Sequence, residues 1–98
     1  MNADARPAHN PLLAWREVEG AIIIISPEDS VLHELNGTAS FIWKQMDGER
    51  TIEQIAALVT EEFDVAPEAA LADVQELMAT LVEKKLAQAA PLARGGHA

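Results

Sequence analysis

The chain has 98 residues, of which 49% are hydrophobic, and this is enough for a single domain with one modest core. It contains no cysteine, which excludes disulfide bonds and thiolate metal ligands. Its formal net charge is −9, and acidic residues far outnumber basic ones between residues 47 and 76, so neither nucleic acid nor an anionic membrane is expected as a partner.

The N-terminal residues 1 to 11 contain two prolines and few hydrophobic side chains, which is typical of a flexible lead. They lack the apolar stretch of a signal peptide. The longest apolar run in the chain, residues 21 to 25, is too short to cross a bilayer. Together with the absence of cysteine, these features predict a cytoplasmic protein.

The next part of the chain has the pattern of a β-meander. Residues 13 to 18 alternate with the period of two that is typical of a half-buried strand, and Glu19-Gly20 can form the turn that follows. Residues 22 to 25 are four isoleucines, apolar on both faces, as expected of a central strand. Residues 26 to 30 are turn formers, and residues 31 to 35 complete a third strand.

Three helices are predicted after the strands. The first can be capped by Asn36 or Thr38, the second opens with the capping box of Thr51 and Gln54, and the third has Pro67 in its first turn. Their apolar residues recur at helical spacing: Ala39, Ile42, Trp43 and Met46; Ile52, Ile55, Ala56, Val59 and Phe63; and Leu71, Val74, Leu77, Met78, Leu81 and Leu86. Residues 89 to 98 indicate a flexible tail. The predicted fold is α+β and winged-helix-like, with a three-stranded antiparallel sheet followed by a three-helix bundle.

The short stretches that resemble motifs for catalysis or metal binding are incomplete or wrongly spaced. His33-Glu34 begins like a zinc-protease motif, but Gly37 stands where the second histidine must be. Asp29, Ser30 and His33 lie too close together in sequence to form a catalytic triad. Ser30 precedes a strand, unlike the attachment serine of acyl carrier proteins, which opens a helix. We therefore expect no catalytic residue, metal site or cofactor, and a protein that is not an enzyme.

An ordered set of short features carries a family resemblance over residues 12 to 87. These features are Ile25-Ser26-Pro27-Glu28, Leu35-Asn36, Ile42-Trp43, Asp47-Gly48-Glu49-Arg50-Thr51-Ile52, Ile55, Phe63, Asp73-Val74 and Leu81 with Lys85-Leu86. In this order they resemble the PqqD family. Residues 12 to 88 are then a PqqD-like domain, between the lead and the tail. Asp29 and Trp43 depart from the pattern of the pyrroloquinoline quinone (PQQ) clade, so another modified-peptide pathway stays open.

The resemblance implies a peptide chaperone, the recognition element of a pathway that modifies ribosomally made peptides. Such domains bind the leader of a precursor peptide and present it to a modifying enzyme, often a radical SAM protein. The leader adds as a strand beside the third strand and rests against the third helix. Carried over to this chain, the strand contacts are Ser30, Val31, Leu32, His33, Glu34 and Leu35. The helix wall draws on Leu71, Val74, Gln75, Met78, Leu81, Val82 and Lys85.

Two alternatives remain at the level of the sequence. A winged-helix DNA-binding regulator would share this architecture, but its candidate reading helices carry acidic residues such as Glu61 and Glu62 where basic ones are needed. A dimerisation module without a peptide ligand would bury the isoleucine strand in a homodimer. The outer face of that strand could be covered by Trp15, by a modifying enzyme or by a second copy of the chain.

Overall fold

A computed structural model describes residues 3–26 and 30–90 of the chain, without the side chains of residues 89 and 90. The elements follow in the order β1 (Arg6–His9), β2 (Ala14–Val18), β3 (Ala21–Ile25), β4 (Leu32–Leu35), α1 (Thr38–Gln45), α2 (Ile52–Phe63), α3 (Pro67–Glu83) and β5 (Ala87–Ala90). Strands β2, β3 and β4 form an antiparallel sheet in that order, and the three helices come after it. The predicted fold class is therefore confirmed.

The isoleucine strand β3 has one buried face and one open face. Ile22 and Ile24 have no accessible surface, whereas Ile25 is 46% exposed and Ile23 is half-buried. Trp15 is the register partner of Ile24 and therefore lies on the buried side of the sheet. Trp15 consequently does not cover the outer isoleucines, both of which keep accessible surface.

The helices pack against the buried face of this sheet. The core of buried hydrophobic residues is centred on Trp43, which has no accessible surface, together with Ile22, Ile24, Ile42, Ile52, Ile55, Val59, Val74, Met78, Leu81 and Leu86. The predicted capping box is present, since the hydroxyl of Thr51 accepts from the Gln54 amide and the Gln54 side chain accepts from the Thr51 amide. Neither predicted cap of α1 is used, because Gly37 at φ 62° turns the chain directly from β4 into the helix.

Strands β1 and β5 form a second, two-stranded antiparallel sheet that the sequence did not predict. The strand β1 lies within residues expected to form a flexible lead, and β5 crosses the expected start of the tail. Backbone hydrogen bonds also connect the N-terminal segment to the region around the start of α2. The amide of Gly48 donates to the Pro7 carbonyl, and the amide of Ile52 donates to the Ala5 carbonyl. These contacts involve main-chain groups and small side chains, which leave no periodic pattern in the sequence. Residues 91–98 of the expected tail lie outside the described residues.

The imidazole of His9 connects β1 to the core. Its ring stacks on Trp43 at a centroid distance of 4.0 Å, and Trp15 meets it edge-on at 5.0 Å. The Nε2 atom of His9 donates to the carbonyl of Trp43 over 2.6 Å. These contacts hold the N-terminal strand against α1, on the side of the molecule where the sheet is buried.

Candidate functional site

Strand β4 is an edge of the main sheet. It pairs with β3 on one side, and no described strand pairs with its other side. The register joins Ile22 to Leu35 and Ile25 to Leu32, and the amide of Ser26 donates to the carbonyl of Val31 one position further along. The strand thus has one side occupied by its own sheet and one side directed away from it.

The hydrogen-bond alternation of an antiparallel pair identifies which groups of β4 point outward. Because the Ser26–Val31 pair is hydrogen-bonded, alternation makes Ile24–His33 the next hydrogen-bonded pair along the ladder. The main-chain N–H and C=O groups of the intervening residues, Leu32 and Glu34, are then directed to the open edge. These groups form a short row to which another extended chain can bond.

The predicted strand contacts are mostly accessible. Val31 is 44% exposed and Leu32 is 61% exposed, and both Ser30 and Glu34 are exposed as well. His33 and Leu35 are half-buried, and the carbonyl of Leu35 accepts a hydrogen bond from the Ser40 hydroxyl at 2.6 Å. Along β4, the exposed side chains of Leu32 and Glu34 therefore alternate with the half-buried side chains of His33 and Leu35.

The predicted helix wall is divided between surface and core. Val74 and Met78 have no accessible surface and Leu81 is 1% exposed, so these three residues belong to the hydrophobic core and offer no free surface. Leu71 is half-buried and lines a depression between α2 and α3, together with Ala56 and Thr60 among others. Of the others, Gln75 is half-buried, Val82 is exposed near the end of α3, and Lys85 is exposed two residues beyond the end of that helix. The structure therefore does not gather the predicted wall into one surface.

A different face of α3 forms an open groove with α1. The groove has a volume of about 320 Å³ and is lined by Thr38, Ala39, Ile42, Asp73, Glu76, Leu77 and Thr80. Its α1 residues follow β4 after the short link Asn36-Gly37, so the groove begins close to the end of the edge strand. The α3 residues of the groove were not predicted as contacts, because the broad apolar stripe of this helix does not indicate which of its sides faces α1.

The charge around these helices is negative. Asp73 and Glu76 are exposed at the groove, and the exposed surface of α2 carries Glu53, Glu61 and Glu62. Acidic side chains on both candidate reading helices oppose a DNA backbone, so the alternative of a DNA-binding regulator gains no support. A positively charged segment is the better electrostatic match for this side of the molecule.

Two ionisable groups near the first helix have shifted pKa values. Burial lowers the pKa of His9, although its hydrogen bond to the Trp43 carbonyl acts in the opposite direction. The main-chain amides of Arg50 and Glu49 donate to the carboxylate of Asp47 and lower its pKa, and the Arg50 guanidinium adds to the effect. Both groups hold chain segments in place through these hydrogen bonds.

The described residues contain no cluster of three or more histidine, cysteine, aspartate or glutamate side chains that could hold a metal ion. No helix in this part of the chain is long and apolar enough to span a membrane.

Solved structures of similar fold include two complexes with leader peptides. TbiB1 in complex with the TbiA(beta) leader peptide has a TM-score of 0.76 at 14% identity and covers 93% of this chain and 99% of its own. Lasso peptide synthetase B1 complexed with the leader peptide has a TM-score of 0.77 at 20% identity, covering 86% and 99%. At these identities the similarity establishes the fold.

A third structure of the same fold is a PqqD domain. The solution NMR structure of the PqqD truncation of Methylobacterium extorquens PqqCD, described as a functional and stand-alone RiPP recognition element, has a TM-score of 0.73 at 24% identity. It covers 90% of this chain and 93% of its own. No curated protein matches the chain.

The family model for coenzyme PQQ synthesis protein D matches residues 21–87, from the isoleucine strand to the first residue of β5 and thus over more than half of the chain. The chain belongs to the PqqD family.

Proposed function

We propose that this protein is a non-catalytic recognition element that binds the leader of a ribosomally made precursor peptide by strand addition to β4. The observation that carries the proposal is the open edge of β4, where the main-chain groups of Leu32 and Glu34 point away from the sheet. Main-chain hydrogen bonds to such an edge give affinity that does not depend on sequence. Membership of the PqqD family and the two leader complexes of similar fold support this reading.

The groove between α1 and α3 supplies sequence selectivity in this proposal. A guest strand beside β4 that continues past Leu35 reaches the first turn of α1, where the groove opens. The half-buried side chains of Ala39 and Leu77 form apolar parts of the lining, while Asp73 and Glu76 carry negative charge. A lysine or arginine side chain suits such a groove, because its methylene stem packs on apolar surface while its charged end approaches the carboxylates.

The protein then presents the bound leader to a modifying enzyme, for which a radical SAM protein is our candidate. Because precursor peptides are made by ribosomes, we place this encounter in the cytoplasm. The product of the pathway is PQQ or another peptide-derived compound. The acidic surface around the groove suits an enzyme that carries lysine or arginine on its docking side.

An amide NMR titration with a leader peptide encoded beside the gene tests the proposal. We expect chemical-shift changes in residues 30–35 together with Asp73, Glu76 and Leu77 on α3, and slower exchange of the Leu32 and Glu34 amides in the complex. A peptide of the same composition in scrambled order is the matched control for selectivity in the groove. Shift changes confined to other surfaces, or none at saturating leader, would contradict strand addition at β4.

A further inference from the structure

The outer face of the main sheet is an exposed apolar surface, distinct from the edge of β4. By strand alternation and register it consists of eight side chains: Ala14, Arg16 and Val18 from β2; Ala21, Ile23 and Ile25 from β3; and Leu32 and Glu34 from β4. Val18 and Ile25 are each 46% exposed, and Leu32 is 61% exposed. Exposed apolar side chains on one face of a small sheet mark a candidate interaction surface.

The two charges of the outer face lie in one row, on opposite sides of its centre. Arg16 and Glu34 are both register partners of Ile23, one on each neighbouring strand. Neighbouring strands lie about 4.8 Å apart, so the two charged residues stand roughly 10 Å from each other across the isoleucine. Neither forms an ion pair with a described residue, whereas the next carboxylate of β2, Glu17, bonds Lys44 at 2.9 Å on the buried side.

We infer that the outer face binds a second copy of this chain, with a two-fold axis parallel to β3. Such an axis lays β2 of each copy over β4 of the other and keeps every cross-strand row in register. Arg16 then faces Glu34 of the second copy, and the same contact forms twice. The other in-plane axis, perpendicular to the strands, would place Arg16 over Arg16 and Glu34 over Glu34, and like charges oppose that arrangement.

Side-chain size is complementary under the same axis. Leu32 and Ala14 are both register partners of Ile25, so they occupy one row, on opposite sides of β3. The axis places the large Leu32 over the small Ala14 of the second copy. A shallow depression lies at that position, lined by Ala14, Arg16, Ile23 and Ile25 among others. A protruding leucine therefore meets a hollow, as in the packing of two aligned sheets.

This self-complementarity favours a second copy over a different protein as the occupant. One positive and one negative side chain, placed symmetrically about Ile23, satisfy each other in a two-fold pair and leave the interface neutral. The interface is small, since three strands of about five residues present roughly 250 Å² of flat area per copy, against the ~800 Å² per partner of a standard interface. The dimer is accordingly expected to be weak and concentration-dependent, and it leaves both β4 edges open.

Sedimentation equilibrium with charge-reversed variants tests the inference. Wild-type protein is expected to rise from a mass of 10.6 kDa towards twice that value between micromolar and millimolar concentration. The variants Arg16→Glu and Glu34→Arg are each expected to stay monomeric alone, because each would face like charges across the axis. Their equimolar mixture is expected to dimerise, since every contact then joins opposite charges. Restored association also shows that both variants are folded.

The variants Lys84→Glu and Glu62→Arg are the matched controls, because they make the same charge changes at exposed helical positions away from the outer face. Each control is expected to dimerise as the wild type does. Wild-type protein that stays monomeric up to millimolar concentration would overturn the inference and leave the face to a different partner. An equimolar mixture of the two sheet variants that stays monomeric would overturn the proposed axis and its Arg16–Glu34 contact.

Discussion

Proline substitutions at Glu34 and His33 distinguish two sets of main-chain groups on β4. One set points to the open edge, and the other set bonds β3 within the sheet. The amide of Glu34 points to the open edge, so its loss removes no hydrogen bond from the free protein. Proline is tolerated at edge strands for this reason. The amide of His33 bonds Ile24 in the middle of the sheet, and His33→Pro would leave the buried carbonyl of Ile24 without its donor.

The two substitutions should therefore differ in what they damage. One main-chain hydrogen bond contributes about 0.5–1.5 kcal/mol net. Glu34→Pro should therefore bind the leader roughly 2- to 12-fold more weakly than Glu34→Ala does. Both variants lose the glutamate side chain, but only the alanine variant keeps the amide N–H. An unsatisfied buried carbonyl costs about 1–3 kcal/mol, so His33→Pro should lower the free energy of unfolding by about that amount.

Isothermal titration calorimetry with the leader peptide and urea unfolding measure the two quantities on the same samples. Equal leader affinity of Glu34→Pro and Glu34→Ala would refute main-chain pairing at this residue. A Glu34→Pro variant less stable than His33→Pro would show that the alternation along β4 is the reverse of the one inferred from the Ser26–Val31 hydrogen bond.

Three further results are expected. Met78→Ala should lower the free energy of unfolding, measured in urea, by about 2–5 kcal/mol, because Met78 is fully buried. Val82→Ala, at a 37% exposed position, should change that free energy by less than about 1 kcal/mol. Equal effects would contradict the division of α3 into core and surface. Since burial lowers the pKa of His9, the unfolded chain takes up a proton at higher pH than the folded chain does, and stability should fall as the pH drops below about 6.5. His9→Phe keeps an aromatic ring against Trp43 and should lose that part of the pH dependence, as urea midpoints at about pH 7.5 and 5.5 would show. Glu76→Gln should weaken the binding of a lysine-bearing leader by up to about fivefold and reduce the salt dependence of that binding. Calorimetry at low and high salt measures both quantities. An unchanged salt dependence would show that Glu76 does not make the proposed contact.

The sequence predicted those elements whose local pattern and tertiary role agree. The isoleucine strand is apolar on both faces and is central in its sheet, and Thr51 and Gln54 form the capping box that their spacing indicates. The sheet of β1 and β5 escaped prediction because its strands are four residues long and poor in β-branched side chains. What stabilises the N-terminal strand is the stacking of His9 on a tryptophan 34 residues away, which no local pattern can indicate.

Of the candidate site, the sequence predicted the edge position of β4 but not the groove between α1 and α3. Position along the chain was sufficient to identify the edge strand, since three consecutive antiparallel strands leave the last one at an edge. The contact residues on α3 were harder to predict, because apolar residues surround much of that helix. The spacing of these residues does not show which side of α3 faces α1. The structure directs Val74 and Met78 into the core, while Asp73 and Leu77, each one position away, face the groove.

Residue Glu34 belongs to both proposed surfaces, through different atoms. Its main-chain groups lie in the row that would bond a leader, and its side chain lies on the outer face that would meet a second copy. Comparing Glu34→Ala with wild type therefore reports on the side chain, and comparing Glu34→Pro with Glu34→Ala reports on the amide. If dimerisation holds β4 more rigidly, it must raise leader affinity by the factor by which the leader strengthens the dimer, because linkage between two binding equilibria is reciprocal. Leader affinity measured against protein concentration would reveal that factor, and a value of one would mean that the edge and the outer face of β4 act independently.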